Sequence, residues 1–271
     1  MPSWPRPPPM HNSGAWRWRR RRRVGGPERA RVGVVIQARM RSTRLPGKAL
    51  VDLAGRPLIE RLLRRVRASR LPLAVVVATS TADADDAIAG LAARLHAPVV
   101  RGPEWDLLAR LVAACDDHRL EAFVRVTGDN PLTDPDGVDA LVAAWQAAPC
   151  DYLTSVHPDG YALGTGAELI TRVALAYAEA GLPAPEWRER VTTWIRTSGR
   201  FDCRRVSAPP ACRAADCFLT VDWPEDAEVL RHVYRRFDGR DDVPLPEILA
   251  FLRGAPEVRA LNAHRHTPPV D

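Results

Sequence analysis

The chain has 271 residues, 46% of them hydrophobic, which suits one large α/β domain or two small ones with a buried core. No stretch approaches the ~20 consecutive apolar residues of a membrane-spanning helix, so a protein anchored by such helices is excluded. The net charge of +6 is uneven: residues 1–31 hold nine arginines against one acid, Glu28, for +8, leaving −2 on the rest and no broad basic face for nucleic acid.

The basic head carries Trp16-Arg17-Trp18 and the arginine run 19–23 behind a Pro-rich stretch, with no hydrophobic periodicity. It is expected to be a disordered, solvated extension over residues 1–31, or sequence ahead of the true start. A nucleic-acid or membrane-surface arm is the weaker alternative. It lacks the apolar core of a secretory signal. Five cysteines (Cys115, Cys150, Cys203, Cys212, Cys217) without a C-x-x-C pair fit free thiols in a reducing cytoplasm.

Along the chain, strands and helices alternate. The apolar run 32–36 reads as a buried parallel strand, and 58–66 follows with helical spacing. A second buried strand covers 74–78, and a helix from about 83 to 96 carries Ile88, Leu91 and Leu95 on one face with Asp83 as its expected N-cap. A short strand at 98–100, a helix over 105–117 and a strand at 122–126 complete the first half. The second half is looser: strands near 151–155, 167–170 and 218–221, and helices near 173–180, 186–196, 225–237 and 245–252. Residues 32–255 are expected to form one domain and 256–271 a flexible tail. Such alternation predicts a mostly parallel sheet with helices on both faces, and ligands bind beyond the carboxyl ends of its strands.

The loop that leaves the first strand, Gln37-Ala38-Arg39-Met40-Arg41-Ser42-Thr43-Arg44-Leu45-Pro46-Gly47-Lys48, gathers four cations and two hydroxyls. Backbone N–H groups and cations of this kind suit a nucleoside triphosphate. It is neither a Walker A loop, since Ser42 takes the first glycine position and Ala49 follows Lys48, nor a G-x-G-x-x-G fingerprint. Lysine and arginine total 39, and Lys48 is the only lysine. In a chain that otherwise writes its cations as arginine, this is a position where a compact ammonium is wanted rather than a planar fork, unless it is a chance survivor.

Two further segments place a carboxylate at a strand end: Arg125-Val126-Thr127-Gly128-Asp129-Asn130-Pro131-Leu132 and Leu219-Thr220-Val221-Asp222-Trp223-Pro224-Glu225-Asp226. Mg²⁺ takes oxygen ligands and retains waters, so two carboxylates plus phosphate oxygens suffice. The competing reading of Asp222 is an N-cap for the helix that follows; Asp134 and Asp136 read as turn and cap residues.

With Val35-Ile36-Gln37-Ala38-Arg39-Met40, Ser42-Thr43-Arg44-Leu45-Pro46-Gly47-Lys48 and Leu53-Ala54-Gly55-Arg56-Pro57-Leu58-Ile59, the chain resembles the cytidylyltransferases of the spore-coat polysaccharide (SpsF) type, relatives of the enzymes that make CMP-activated 3-deoxy-octulosonate and sialic acids. The resemblance spans roughly residues 32–238. It implies the Rossmann-like fold of nucleotide-diphospho-sugar transferases, an α/β architecture with a mostly parallel central sheet flanked by helices. It implies a Mg²⁺-dependent, cytoplasmic enzyme that moves CMP from CTP to a sugar, sugar acid or sugar phosphate with release of pyrophosphate, and a possible homodimer.

In that resemblance Lys48, Arg39 and Arg44 hold the triphosphate, Asp129 and Asp222 hold the metal, and Gln37, Ala38, Ser42, Asp106 and Gly128 line the nucleotide site. Asp106 enters through Arg101-Gly102-Pro103-Glu104-Trp105-Asp106-Leu107-Leu108, which resembles the family's R-G-x-x-x-D-V-L. The acceptor side is assigned to Asp159, Glu168 and Arg190, through Pro158-Asp159-Gly160, Ala167-Glu168-Leu169 and Glu189-Arg190-Val191-Thr192. The chain departs from the family at Arg41, where Gly is usual, at the inserted 161–165, at Gly166 in place of Asp and at Arg190 in place of His. Two other readings stay open: a glycosyltransferase consuming a nucleotide-sugar on the same fold, although Asp129-Asn130-Pro131 rather than the D-x-D common in those enzymes stands at the end of the central strand, and a non-catalytic nucleotide-binding regulatory protein.

Overall fold

The computed structural model describes residues 30–266. The expected extension over 1–31 lies outside the described residues except for Ala30 and Arg31. The first half runs β1 (Val32–Gln37), α1 (Leu58–Val66), β2 (Val75–Ser80), α2 (Asp86–Arg94), β3 (Val99–Gly102), α3 (Leu107–Asp117), β4 (Ala122–Thr127) and α4 (Pro135–Ala147). The second half adds β5 (Tyr152–Thr154), β6 (Glu168–Thr171), α5 (Arg172–Gly181), α6 (Val191–Thr197), β7 (Cys203–Arg205), α7 (Pro224–Arg236), α8 (Leu245–Gly254) and α9 (Pro256–Ala263).

The strands form one seven-stranded sheet in the order β3-β2-β1-β4-β6-β5-β7. Strands β1 to β4 are mutually parallel; β6 runs antiparallel to both β4 and β5, and β7 pairs parallel with β5. Strand β1 is buried on both faces because its residues feed two cores in turn. Val34 and Ile36 pack with Leu62, Ile88, Leu141 and Trp145 of α1, α2 and α4, whereas Val35 packs with Leu108, Leu111, Leu175 and Ile195 of α3, α5 and α6. A third cluster joins α7, α8 and α9 to Leu53, Leu58 and Leu132.

Helix starts follow local chemistry. Asp134 accepts from the Gly137 N–H ahead of Pro135, and Asp106 accepts from the Ala109 N–H, so α3 and α4 begin at capped ends. Asp83 does not cap; Ala82 precedes its short 3₁₀ turn, Asp83–Asp85. Residues 186–196 divide into a 3₁₀ turn, Pro185–Arg188, and α6.

Two further expectations are corrected. Residues 218–221 join no strand of the sheet; Leu219 N donates to Leu163 O and Val221 N to Asp129 O, so this apolar stretch pairs with loops. Helix α4 and the edge strand β7 were not foreseen. Within the expected tail 256–271, residues 256–263 form α9, with Val258 and Asn262 buried; residues 267–271 lie outside the described residues.

All five cysteines are free, and only Cys203 is exposed. Burial pushes the Cys115 thiol up to about 12 and those of Cys150 and Cys212 to about 11, so these three are poor nucleophiles. Among the described residues no helix is long and apolar enough to cross a membrane.

Candidate active site

The parallel register aligns Gln37 of β1 with Thr127 of β4, so the loops after both strands leave the sheet side by side. Gly128 N donates to Gln37 O at 2.8 Å, and a Cβ on Gly128 would stand 2.7 Å from the Ala38 Cβ. Only glycine lets the two chains approach so closely.

The basic loop is pinned at its start and closed at its end. Met40 N donates to Asp85 Oδ1 at 2.7 Å, and the remaining oxygen of this buried carboxylate accepts from Thr79 Oγ1, Ser80 N and Ser80 Oγ. Gly47 takes the left-handed conformation at φ 73° and returns its N–H to Met40 O, which starts the 3₁₀ turn Lys48–Leu50. Lys48 is thereby set at the mouth of the sheet.

Lys48 Nζ donates to Asp129 Oδ2 at 2.7 Å and to Asp222 Oδ1 at 2.8 Å, and Arg44 lies 2.6 Å from the same Asp222 oxygen. Burial alone would depress the Lys48 ammonium's pKa; the charges and hydrogen bonds of Asp129 and Asp222 outweigh it and hold the group above its ordinary value. Val221 N donates to Asp129 O at 2.8 Å, tying the two carboxylate-bearing segments together. Asp222 is not the helix cap: Trp223 holds that position, and the N–H groups of Asp222 and Trp223 both go to the Asp226 carboxylate.

A cavity of about 300 Å³ opens beside this cluster, lined by Gln37, Ala38, Lys48, Trp105, Arg110 and Asp129 among others. Three of its lining residues, Arg39, Arg41 and Arg110, belong to a second charged cluster. Glu189 lies 2.7 Å from Arg39 and 3.3 Å from Arg110, and Arg39 also donates to Glu104 O at 3.0 Å. The guanidinium groups of Arg39 and Arg41 lie 5.2 and 4.8 Å from the centre of the exposed Trp105 ring. Arg110 is 2% exposed, and its Nε is buried without a partner. Burial lowers its pKa, Arg39 adds to the effect and Glu189 opposes it.

Of the residues expected at the nucleotide, Gln37, Ala38, Arg39, Ser42, Lys48, Gly128 and Asp129 line this one cavity. Neither Arg44 nor Asp222 is among the lining residues; Arg44 contacts Asp222, which contacts Lys48. Asp106 is not among the lining residues; its carboxylate caps α3 and binds Arg188 Nε at 2.6 Å. On the acceptor side, Glu168 accepts from Tyr152 Oη and Arg125, whose Nε donates to Gln37 Oε1 at 2.7 Å. It acts as a brace behind Gln37 rather than as a cavity wall. Asp159 and Arg190 are exposed outside the lining, and the neighbour of Arg190, Glu189, is the residue that reaches Arg39. Sequence reasoning missed Asp85, Arg110 and Trp105. Arg110 had a signal: it falls on the face of α3 that buries Leu107, Leu111 and Ala114.

Among the described residues no group of three or more His, Cys, Asp or Glu side chains is gathered for a metal. Asp129 and Asp222 nevertheless present oxygens to one shared cation, and the neighbouring Asn130 Oδ1 is buried without a partner. Such hard oxygen donors suit Mg²⁺, which takes one or two carboxylates and completes its shell with substrate phosphates and water.

A sheet with a basic loop and a lone lysine after β1, a carboxylate after β4 and a second carboxylate, Asp222, brought beside it by a loop is the layout of a nucleotidyltransferase. The cytidylyltransferase family profile matches residues 33–170. The chain is 31% identical over 229 residues, covering 82% of this chain and 94% of the relative, to spore coat polysaccharide biosynthesis protein SpsF of Bacillus subtilis. It is 38% identical over 120 residues to a 3-deoxy-manno-octulosonate cytidylyltransferase of Anaeromyxobacter, covering 43% of this chain and 47% of that one. The solved structure of a cytidylyltransferase from Leptospira borgpetersenii superposes with a TM-score of 0.79 at 26% identity, covering 85% of this chain and 97% of that one. The chain belongs to the cytidylyltransferase family, with the Rossmann-like nucleotidyltransferase fold.

Proposed function

We propose that this protein transfers CMP from CTP to a sugar, sugar acid or sugar phosphate and releases pyrophosphate, in the cytoplasm, for glycan or sugar-containing metabolite synthesis. The observation that carries the reading is the convergence of Lys48, Asp129 and Asp222 at the edge of a cavity walled by the basic loop. The acceptor oxygen attacks the α-phosphorus of CTP, a hydroxyl giving up its proton to water and a phosphate attacking already ionised; the bond from that phosphorus to the bridging oxygen of the β-phosphate breaks, and pyrophosphate leaves with the bonding electron pair.

Transfers of this type need positioning and charge stabilisation more than covalent help. Arg39 and Lys48 both line the cavity and, with Arg44, neutralise the leaving phosphates. Gln37, braced by Arg125, and the glycine-permitted approach of Gly128 to Ala38 shape the nucleotide side. Asp129 and Asp222 would hold Mg²⁺, which when bound neutralises phosphate oxygens and lowers the pKa of an acceptor hydroxyl. No histidine base is then required.

Mass spectrometry of reactions containing CTP, Mg²⁺ and a panel of sugar acids and sugar phosphates tests the proposal. A CMP- or CDP-linked product with at least one acceptor is expected. Consumption of a nucleotide-sugar instead would make the protein a glycosyltransferase, and CTP binding with no product from any acceptor would make it a regulator. A homodimer is expected from sedimentation.

A further inference from the structure

Asp222 is fixed from behind by a part of the chain far from the nucleotide loop. Asp226, one turn further on, has a side chain with 0% exposure. Its Oδ2 accepts the backbone N–H groups of Asp222 and Trp223, each at 2.8 Å. Its Oδ1 accepts Asn262 Nδ2 at 2.8 Å and faces His266 Nε2 at 2.7 Å. Opposite a carboxylate oxygen, Nε2 is the ring nitrogen that carries hydrogen.

The same two residues grip the segment again at Phe218. Asn262 Nδ2 also donates to Phe218 O at 2.9 Å, and the His266 ring stacks on the Phe218 ring with centroids 4.5 Å apart and planes at 11°. A wholly buried carboxylate tolerates no loss of donors, because each unmatched oxygen lone pair there is poorly solvated. Removing the imidazole leaves Oδ1 with Asn262 Nδ2 as its one remaining donor of the two and lets the carboxylate rotate. Oδ2 then leaves the two N–H groups that hold the Asp222 backbone.

We propose that Asn262 and His266 are positioning residues for Asp222, acting through Asp226, so that the C-terminal segment is part of the catalytic centre's framework. The proposal rests on the reading of Asp222 as a metal-holding carboxylate. Simple packing of α9 on α7 does not account for it, since His266 lies beyond the end of α9 at Ala263.

The test uses the full-length wild type, His266→Ala and His266→Gln, the last of which keeps an N–H donor of similar reach. Amide exchange over residues 219–226 is measured together with Mn²⁺ affinity in the presence of CTP by electron paramagnetic resonance. His266→Ala should speed exchange at Asp222 and Trp223 and weaken Mn²⁺ binding by about tenfold, the range for residues supporting a metal ligand, while CTP binding in EDTA stays unchanged. His266→Gln should restore most of both. A purely structural role would lower the melting temperature and leave the Mn²⁺ affinity intact. Exchange and Mn²⁺ affinity both within about twofold of wild type in His266→Ala would overturn the proposal. So would faster exchange with unchanged Mn²⁺ affinity. Faster exchange in a protein whose wild type binds no Mn²⁺ would support the strut and remove the metal role of Asp222, so the two ideas fail separately.

Discussion

The Lys48 ammonium and the Asp222 carboxylate are 174 positions apart in the chain and 2.8 Å apart in the fold. The same nitrogen reaches Asp129, 81 positions away, at 2.7 Å. One lysine thus joins three segments that separately leave β1, leave β4 and precede α7.

Lys48→Arg keeps the charge but replaces the ammonium with a wider planar fork that cannot sit between the two carboxylates. Turnover should fall by about 10²-fold or more, the scale for losing one aligned charge-stabilising donor. Steady-state rates with CTP measure it, and near-normal turnover would return Lys48 to a chance survivor.

Because Lys48 is the only lysine, selective ¹³C labelling at Cε gives one lysine signal from the whole chain. Its titration midpoint should lie above the ordinary 10.5, since the two carboxylates raise the pKa against the effect of burial. With the folded value raised, this contribution to stability is complete below the unfolded pKa and is lost as pH rises through the folded one. In Asp222→Asn the midpoint should drop; a wild-type midpoint at or below 10.5 would contradict the ion triad.

Asp85→Asn tests how the basic loop is held. The carboxylate accepts from Met40 N, Thr79, Ser80 N and Ser80 Oγ, and an amide can satisfy fewer of these donors. A loss of about 1.5–3 kcal/mol per charged hydrogen bond broken is expected in chemical denaturation, with a raised KM for CTP as the loop loosens. Unchanged KM and stability would show that the loop holds itself.

Glu189→Gln leaves Arg110, which is 2% exposed, and Arg39 without their shared anion. The variant should lose about 3–5 kcal/mol, whereas Arg110→Met combined with Glu189→Leu should lose much less, because no buried charge is stranded. Denaturant melts of Arg110→Met, Glu189→Leu and their double variant decide it; additive losses would mean that the pair is not coupled.

Much of this was legible in the sequence because of where apolar runs stop. The runs that became β1, β2 and β4 are buried on both faces; Asp129 stands just past the end of β4, and Lys48 closes the loop that leaves β1. Strand β7, Cys-Arg-Arg, is exposed throughout and carries no apolar pattern to read. Residues 218–221 misled for the opposite reason: apolarity reports burial, and here the burial comes from pairing with loops. Helix α9 was missed because it buries Val258 and the polar Asn262, whose contact with Asp226 hydrophobic periodicity does not register. Glu189 was quoted within its motif, but only the folded chain shows that it, and not Arg190, meets Arg39.

The central claim is that Asp222 and Lys48 handle the phosphates of CTP at one centre. Pyrophosphate release from CTP by Asp222→Asn, measured beside the wild type with Mg²⁺ and the full acceptor panel, tests it most directly. The account predicts that release with the productive acceptor is abolished in a variant whose circular dichroism is unchanged. A folded Asp222→Asn that releases pyrophosphate at the wild-type rate would contradict it.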